Sequence, residues 1–513
     1  MPAKLVGKAA TAPPRPTKTA AVSLAELAER IGARLSPDAP AVAVTGTTLR
    51  AQQVLAGDLF AALPGSKVHG ARFAGDAVAA GAVAVLTDAA GAESAEVRAA
   101  GVPVLVHDDP RQALGPVAAR IYGEPSQRLA VLGVTGTSGK TTTTHMIESG
   151  LRAAGRTTGL IGTVETRVAG ERLDSAFTTP EAPDLQALLA VMIERGVTHV
   201  PMEVSSHALA LGRVSGTRFA IGAFTNLSQD HLDFHTDMED YFQAKALLFD
   251  GRSASAVVCV DGDWGRRLLT PQTVTVAAEG TADWTATAYT TSITGEQSFV
   301  IHGPDGLVLP ATLPMPGRFN VANALVAAAC LTEAGIGPDD ILTGLATVRV
   351  PGRMERVTLG QDFTAVVDYS HKPAAVALAL DAVRARTSGR VIVVLGCGGD
   401  RDTAKRPMMG EAATRRSDLL IVTDDNPRSE DPAAIRAAMR AGAEQVPADQ
   451  RGEVIDIGDR KAAIEAAVAR ARPGDVVVIA GKGHETGQEI AGVVHPFSDR
   501  DELSRAIEHR MRR

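Results

Sequence analysis

Gly133-Val134-Thr135-Gly136-Thr137-Ser138-Gly139-Lys140-Thr141-Thr142 follows the largely apolar run Arg128–Val134 and leads into a helix-forming stretch from Lys140 to Ala154. A buried strand that runs into a Gly/Thr/Ser loop and then a helix is the layout of a phosphate-binding turn. Glycines let backbone N–H groups converge on phosphate oxygens. The helix N-terminus adds partial positive charge, a lysine neutralises the β- and γ-phosphates, and a Thr hydroxyl can ligate Mg²⁺. Val134 stands where the strict Gly-x4-Gly-Lys-Thr spacing has its first glycine, so the working core is Gly136, Thr137, Ser138, Gly139, Lys140, Thr141 and Thr142.

Outward from this loop, strands are predicted over Val197–Glu203, Ala220–Thr225 and Ala256–Val260, with helices between them. Such buried runs indicate a parallel sheet covered on both faces. A Thr-rich, β-like stretch spans Trp284–Val308, and Asn320–Ala334 reads as helix. Near Pro351 the pattern restarts. Ala365–Asp368, Val391–Leu395, Leu419–Thr423 and Val476–Ala480 are strands, each followed by a loop rich in Gly, Asp or Pro. That is a second open α/β domain with functional loops at its strand C-termini. On the N-terminal side, Ser23 and Glu26 predict a capping box for a helix over Leu24–Ile31. Ala41–Val44, Asp58–Leu63, Ala82–Leu86 and Val102–Val106, with a helix over Ala74–Ala80, make a small α/β unit ending near Ser126. The expected fold is α/β in three domains: 23–127, a central P-loop-type domain 128–350, and a Rossmann-like domain 351–513. Residues 1–22, with Pro13, Pro14 and Pro16, read as a loose tail.

The 513 residues, 45% of them hydrophobic, suffice for several cores. A net charge of −7 argues against a nucleic-acid partner, which rewards a basic surface. The cysteines Cys259, Cys330 and Cys397 lie far apart, which disfavours a disulfide framework or a structural zinc and fits the reducing cytoplasm. No run approaches the roughly 20 apolar residues of a membrane span, and the first 22 residues lack the apolar segment of a secretory signal.

Further motifs follow in order: Glu203-Val204-Ser205-Ser206-His207; Asn226-Leu227-Ser228-Gln229-Asp230-His231-Leu232-Asp233; Gly317-Arg318-Phe319-Asn320-Val321-Ala322-Asn323; Pro351-Gly352-Arg353-Met354-Glu355; and Asp368-Tyr369-Ser370-His371-Lys372-Pro373. With Thr-Gly-Thr-Ser-Gly-Lys-Thr-Thr, this set resembles the Mur ligase family over nearly the whole chain after the tail. The resemblance implies an ATP-dependent amide ligase. A substrate carboxylate attacks the γ-phosphate, and the amine of an amino acid then attacks the acyl phosphate, giving amide, ADP and phosphate. Bringing a carboxylate to a triphosphate requires cations. The resemblance assigns that work to Lys140 and to Mg²⁺, with two ions expected. Thr141 and Glu203 would hold one, and His231 and Lys245 the second, Lys245 as a carbamate. Asn323, Arg353 and Asp368 are implied ATP contacts, Asp368 near the ribose, with Arg353 and Asp368 closing over the nucleotide. Asn320, His371 and Lys372 are implied supporting residues.

The resemblance implies UDP-N-acetylmuramoyl-L-Ala-D-Glu as the peptide substrate. Thr178 and Thr179, in Thr178-Thr179-Pro180-Glu181, with Ser205 and Arg213, resemble its contacts, and Leu49, Ser66 and Lys67 resemble its uridine-diphosphate pocket. The sequence departs from the family in two places: Leu211 stands where a Gln can precede the arginine, and Arg50-Ala51-Gln52 replaces Asp-Ser-Arg after Leu49. Asp425-Asn426-Pro427-Arg428 resembles the family's diaminopimelate signature. A guanidinium can bind a distal carboxylate bidentately, which lysine as a substrate lacks. Arg401, and Gly481 and Glu485 in Gly481-Lys482-Gly483-His484-Glu485, match further contacts to that amino acid. A lysine-adding ligase is the nearest alternative, opposed by Arg428. Dipeptide-adding and folylpolyglutamate-type ligases share the loop but not the Arg401, Asp425–Arg428 and Glu485 set. A nucleotide-dependent binding protein without ligase activity is opposed by Lys140, Glu203, His231 and Lys245. A monomer in the cytoplasm is expected, with no membrane insertion.

Overall fold

The computed structural model describes residues 14–35, 39–65, 67–173, 178–292 and 296–512. The chain divides into two compact units, Met1–Thr285 with Asn323–Gly344, and Ala286–Ala322 with Leu345–Arg513.

In the first unit, a four-stranded parallel sheet runs in chain order through Gly46–Thr48, Asp58–Ala61, Ala84–Thr87 and Val104–Val106. Its core includes Leu59, Leu86 and Leu105 with Leu114, Val117 and Ile121 of the helix Pro110–Ile121. That core continues into Ala187 and Ala190 of the helix Ala182–Glu194, so the N-terminal sheet and this later helix share one hydrophobic layer.

The second sheet of this unit places Ala130–Thr135 between His199–Glu203 and Phe219–Phe224, all parallel, with Ser253–Cys259 and Val274–Ala277 continuing outward. Val131, Val200 and Met202 pack against Leu185, Leu188, Leu189 and Met192 of the helix Ala182–Glu194. Each such buried side chain contributes about 1.5–3 kcal/mol of transfer free energy. The helix Lys140–Ala153 follows the phosphate loop, one residue short of the sequence expectation.

Two N-terminal expectations are corrected. The helix Leu24–Ile31 forms, but the Ser23 side chain makes no cap hydrogen bond; Val22–Ser23 pairs instead with Ala43–Val44 as a short antiparallel ladder. Glu26 is drawn away by Arg120, 2.5 Å from its carboxylate. The described part of the tail is not loose. Arg15 donates to Asp58 at 2.6 Å and to the Gln53 carbonyl at 3.3 Å, and the Thr17 N–H and hydroxyl both donate to Glu194 at 2.9 Å. Asp58 is 1% exposed, and a buried carboxylate needs such a partner.

The second unit carries the sheet order Glu355–Arg356, Thr364–Asp368, Val476–Ala480, Val391–Leu395, Leu419–Val422, Glu453–Asp456. All pairs after the first are parallel. Val391-Ile392-Val393-Val394-Leu395 is wholly buried because its alternate residues face different cores. Val391, Val393 and Leu395 meet Met409, Ile435 and Met439 on one face. Ile392 and Val394 meet Ile464, Val468 and Ile507 on the other. In register, Asp368, Ala480, Leu395 and Val422 stand side by side, so the loops after them emerge along one edge. The β-like stretch after Trp284 resolves into Trp284–Thr291, Gln297–His302 and Val308–Leu313, the last two an antiparallel pair.

Candidate active site

Register brings Glu203 opposite Val134 and Phe224 opposite Thr135, so the acid and the phosphate loop leave the sheet at the same end. Gly136 and Gly139 have φ of 147° and 88°. A Cβ on Gly136 would lie 2.0 Å from Thr225 Oγ1, and one on Gly139 2.3 Å from Asn323 Oδ1. Conformation and space both demand glycine there. The loop is tied down by Asn226, which accepts from the Thr137 N–H on its carbonyl at 2.9 Å and from the Ser138 N–H on its side chain at 3.0 Å. Lys140 Nζ donates to the carbonyls of Gly136 and Thr137 at 2.8 and 3.2 Å.

Glu203 is 1% exposed. Its Oε1 accepts from the Thr141 hydroxyl at 2.9 Å and the Thr163 N–H at 2.8 Å, and Oε2 accepts from the Thr163 hydroxyl at 3.0 Å. These donors are all uncharged. A buried carboxylate so held, beside a Thr hydroxyl, fits a hard divalent cation, and Thr141 and Glu203 would hold Mg²⁺ here. Among the described residues no group of three or more His, Cys, Asp or Glu is arranged to hold a metal. Mg²⁺ is commonly bound through one or two carboxylates plus substrate phosphates.

Lys245, on the helix Met238–Ala246, is 1% exposed. Its Nζ donates to the Gly136 carbonyl at 2.9 Å and sits 4.5 Å from the centre of the Tyr241 ring. The Tyr241 hydroxyl bonds Thr137 Oγ1 at 3.1 Å, and burial raises its pKa. His231, at φ 54°, lies 3.1 Å from Asp230 and meets the rings of His207 and Tyr241 edge-on at 4.9 and 6.0 Å. Burial, then the neighbouring His235, keep the His207 pKa below its ordinary value. His231 is thus connected to Lys245 through Tyr241.

The expected peptide-substrate residues join this cluster in part. The Thr178 hydroxyl meets that of Thr163 at 3.0 Å, and the Thr179 hydroxyl donates to the Glu203 carbonyl at 2.9 Å. Ser205 caps the helix Ser206–Ala210 by accepting the Ala208 N–H at 3.1 Å. Arg213 pairs with Glu181 at 2.9 Å and donates to the Thr179 carbonyl at 3.4 Å. Leu49 packs into the N-terminal core and Lys67 is exposed, both apart from these hydrogen bonds; Ser66 lies outside the described residues.

In the second unit, Asp368 is 6% exposed and accepts from the Met354 N–H at 2.8 Å and the Ser370 N–H at 2.9 Å, and also from the Ser370 hydroxyl. It fixes the turn that carries Arg353, whose guanidinium lies 4.3 Å over the Tyr369 ring. His371 is pushed down to about 3 by burial and by Lys372 and Lys405.

The loops after Leu395, Val422 and Ala480 converge. Arg428, at φ 54°, donates to the Gly399 carbonyl at 2.6 Å and pairs with Glu489 at 3.3 Å. A Cβ on Gly398 would lie 2.9 Å from Arg428 Nη1 and 3.9 Å from Arg401 Cγ. Asn426 donates to Glu485 Oε2 at 2.8 Å, and Gly481, at φ 111°, leaves room for Asp425 Oδ2, which a Cβ would meet at 2.7 Å. The structure brings together Arg401, Asp425, Asn426, Arg428, Gly481 and Glu485, with Pro427 between two of them. Sequence reading passed over Thr163, which holds both oxygens of Glu203, because only the fold brings the loop after Gly159–Ile161 to that acid. It also gave no role to Tyr241, Lys482 or Glu489. Two of these lie within stretches singled out for other residues: Tyr241 opens Tyr241–Lys245, and Lys482 lies inside Gly481–Glu485.

A phosphate loop beside a buried acid is the layout of a nucleotide-binding domain, and the chain belongs to the Mur ligase family of ATP-dependent ligases. It matches the Mur ligase family catalytic domain over residues 43–122, the Mur ligase middle domain over 134–331 and the Mur ligase glutamate ligase domain over 352–483. It is 55% identical over 502 residues to the UDP-N-acetylmuramoyl-L-alanyl-D-glutamate--2,6-diaminopimelate ligase of Streptomyces coelicolor, covering 96% of this chain and 98% of that protein. The enzyme of the same name from Corynebacterium efficiens is 53% identical over 504 residues, 95% of each chain. A solved structure of a UDP-N-acetylmuramoyl-L-alanyl-D-glutamate--2,6-diaminopimelate ligase superposes with a TM-score of 0.68 at 31% identity, covering 96% of this chain and 100% of that one. Among the described residues no helix is long and apolar enough to cross a membrane.

Proposed function

We propose that this chain joins 2,6-diaminopimelate to UDP-N-acetylmuramoyl-L-Ala-D-Glu at the expense of ATP, in the cytoplasm and as a monomer, for peptidoglycan precursor synthesis. The observation that carries the reading is the meeting of the loops that hold Arg428 and Glu485: Arg428 donates to the Gly399 carbonyl and pairs with Glu489, and Asn426, two residues before it, donates to Glu485. A guanidinium and a carboxylate on neighbouring loops suit the distal zwitterionic end of diaminopimelate, and lysine would offer Arg428 no distal carboxylate.

ATP binds with its phosphates along Gly136–Thr142, where backbone N–H groups and the helix N-terminus face them. Lys140 turns from the Gly136 and Thr137 carbonyls to the β- and γ-phosphates. Thr141 and Glu203 would hold Mg²⁺, and His231 with a carbamylated Lys245 would hold a second ion; bound there, the metal would supply charge neutralisation. Thr163 keeps both oxygens of Glu203 in place. Thr178, Thr179, Ser205 and Arg213 hold the muramoyl-dipeptide so that its terminal carboxylate meets the γ-phosphate, with Leu49, Ser66 and Lys67 toward the uridine diphosphate. Attack gives the acyl phosphate and ADP; the diaminopimelate amine then adds to the carbonyl, and phosphate leaves. Asn323, Arg353 and Asp368 contact the nucleotide.

The test is an amino-acid panel with ATP and UDP-N-acetylmuramoyl-L-Ala-D-Glu, including lysine and both meso- and LL-diaminopimelate. Phosphate release that needs the UDP-dipeptide and a diaminopimelate isomer is expected. ATP consumption without ligation, or preference for lysine, would overturn the assignment.

A further inference from the structure

Lys482 lies between Gly481 and Gly483, whose φ values are 111° and 55°. A Cβ on Gly483 would lie 2.7 Å from Tyr369 Cβ, so the backbone is closely packed on this side. The loop turns the lysine inward, and its side chain is 0% exposed. Its Nζ donates to Glu485 Oε2 at 2.7 Å and to Asn426 Oδ1 at 3.0 Å. Burying an ammonium is costly without such acceptors, and both are residues of the amino-acid pocket.

We propose that Lys482 is the positioning residue of that pocket: it clamps one oxygen of Glu485 so that the other is presented to the ammonium of the incoming amino acid. Glu485 Oε2 receives two donors, Lys482 and Asn426. Among the described residues Oε1 has no hydrogen bond, and the Glu485 side chain is 31% exposed. One oxygen is therefore anchored on the protein side while the other faces out. Asn426 is held independently, because its Oδ1 also accepts the Glu489 N–H at 2.9 Å. Removing Lys482 thus releases Glu485 more than Asn426. The proposal rests on the reading of Glu485 as an amino-acid contact.

The experiment is a double-mutant cycle of Lys482→Met and Glu485→Gln in the full chain, with KM for diaminopimelate, KM for ATP and kcat measured for each variant. Lys482→Met is expected to raise the diaminopimelate KM about tenfold or more, with KM for ATP and kcat changed by no more than about threefold. In the Glu485→Gln background it should add little, since a residue acting through Glu485 has nothing left to position. If Glu485→Gln raises the diaminopimelate KM while Lys482→Met does not, or if the two effects simply add, the positioning role is refuted and the functional reading survives. If Glu485→Gln leaves the diaminopimelate KM unchanged, the pocket assignment itself fails. Should Lys482→Met not fold, Lys482→Leu, which also removes the donor to Glu485, replaces it with the same outcomes.

Discussion

Lys140 and Lys245 donate to one and the same oxygen, the Gly136 carbonyl, at 2.8 and 2.9 Å. Two ammonium groups that share an acceptor repel each other, and Lys245 is 1% exposed, where water screens little. Carbamylation would turn Lys245 into an anion and the repulsion into attraction. A mass increase equal to one carbon dioxide on Lys245 is expected in native-pH mass spectrometry or in a crystal structure. Lys245→Ala should lose activity and regain part of it with a short carboxylic acid. Neither carbamate nor rescue would remove the second-metal role.

Lys140→Ala should abolish turnover. The γ-phosphate charge would lack its closest side-chain cation, and removing one donor of this kind costs on the order of 10²–10³ in kcat. Steady-state phosphate release measures this, and substantial ligation by the variant would refute the role given to Lys140.

Arg428→Ala should raise the KM for diaminopimelate about 10- to 100-fold, as the loss of a charge-assisted hydrogen bond of roughly 1.5–3 kcal/mol requires. The KM for ATP should change far less. Equal effects on both would take Arg428 out of the amino-acid pocket.

Arg15→Ala should destabilise the N-terminal region by about 1–3 kcal/mol, because Asp58 stays buried after losing its charged donor. Thermal melting reads the effect, and an unchanged transition would mean that the contact contributes nothing. Activity of the folded variant at low temperature should persist.

The legibility of the sequence depends on the range of the interactions involved. Val391–Leu395 and Val476–Ala480 appear at their expected bounds because a strand buried on both faces must be apolar at every position. The phosphate loop was equally legible, since its chemistry lies in consecutive residues. The Ser23 capping box failed because Arg120 competes for Glu26 from far along the chain, and local pattern contains no such competitor. Arg15 looked like part of a loose tail for the same reason: Asp58, its partner, is 43 residues away. Lys245 carries no signal of its own, being one lysine in an ordinary helix, and only the resemblance singled it out. Leu49 and Lys67 rest on the resemblance alone, and neither takes part in the hydrogen bonds around Glu203.

The loops that follow Leu395, Val422 and Ala480 hang from three strands that are immediate neighbours in the sheet. With these loops selecting the amino acid, as proposed, that choice is written on short, adjoining stretches of surface rather than on the two hydrophobic layers beneath. An engineer wishing to retune this preference has three loops to graft and no core to redesign.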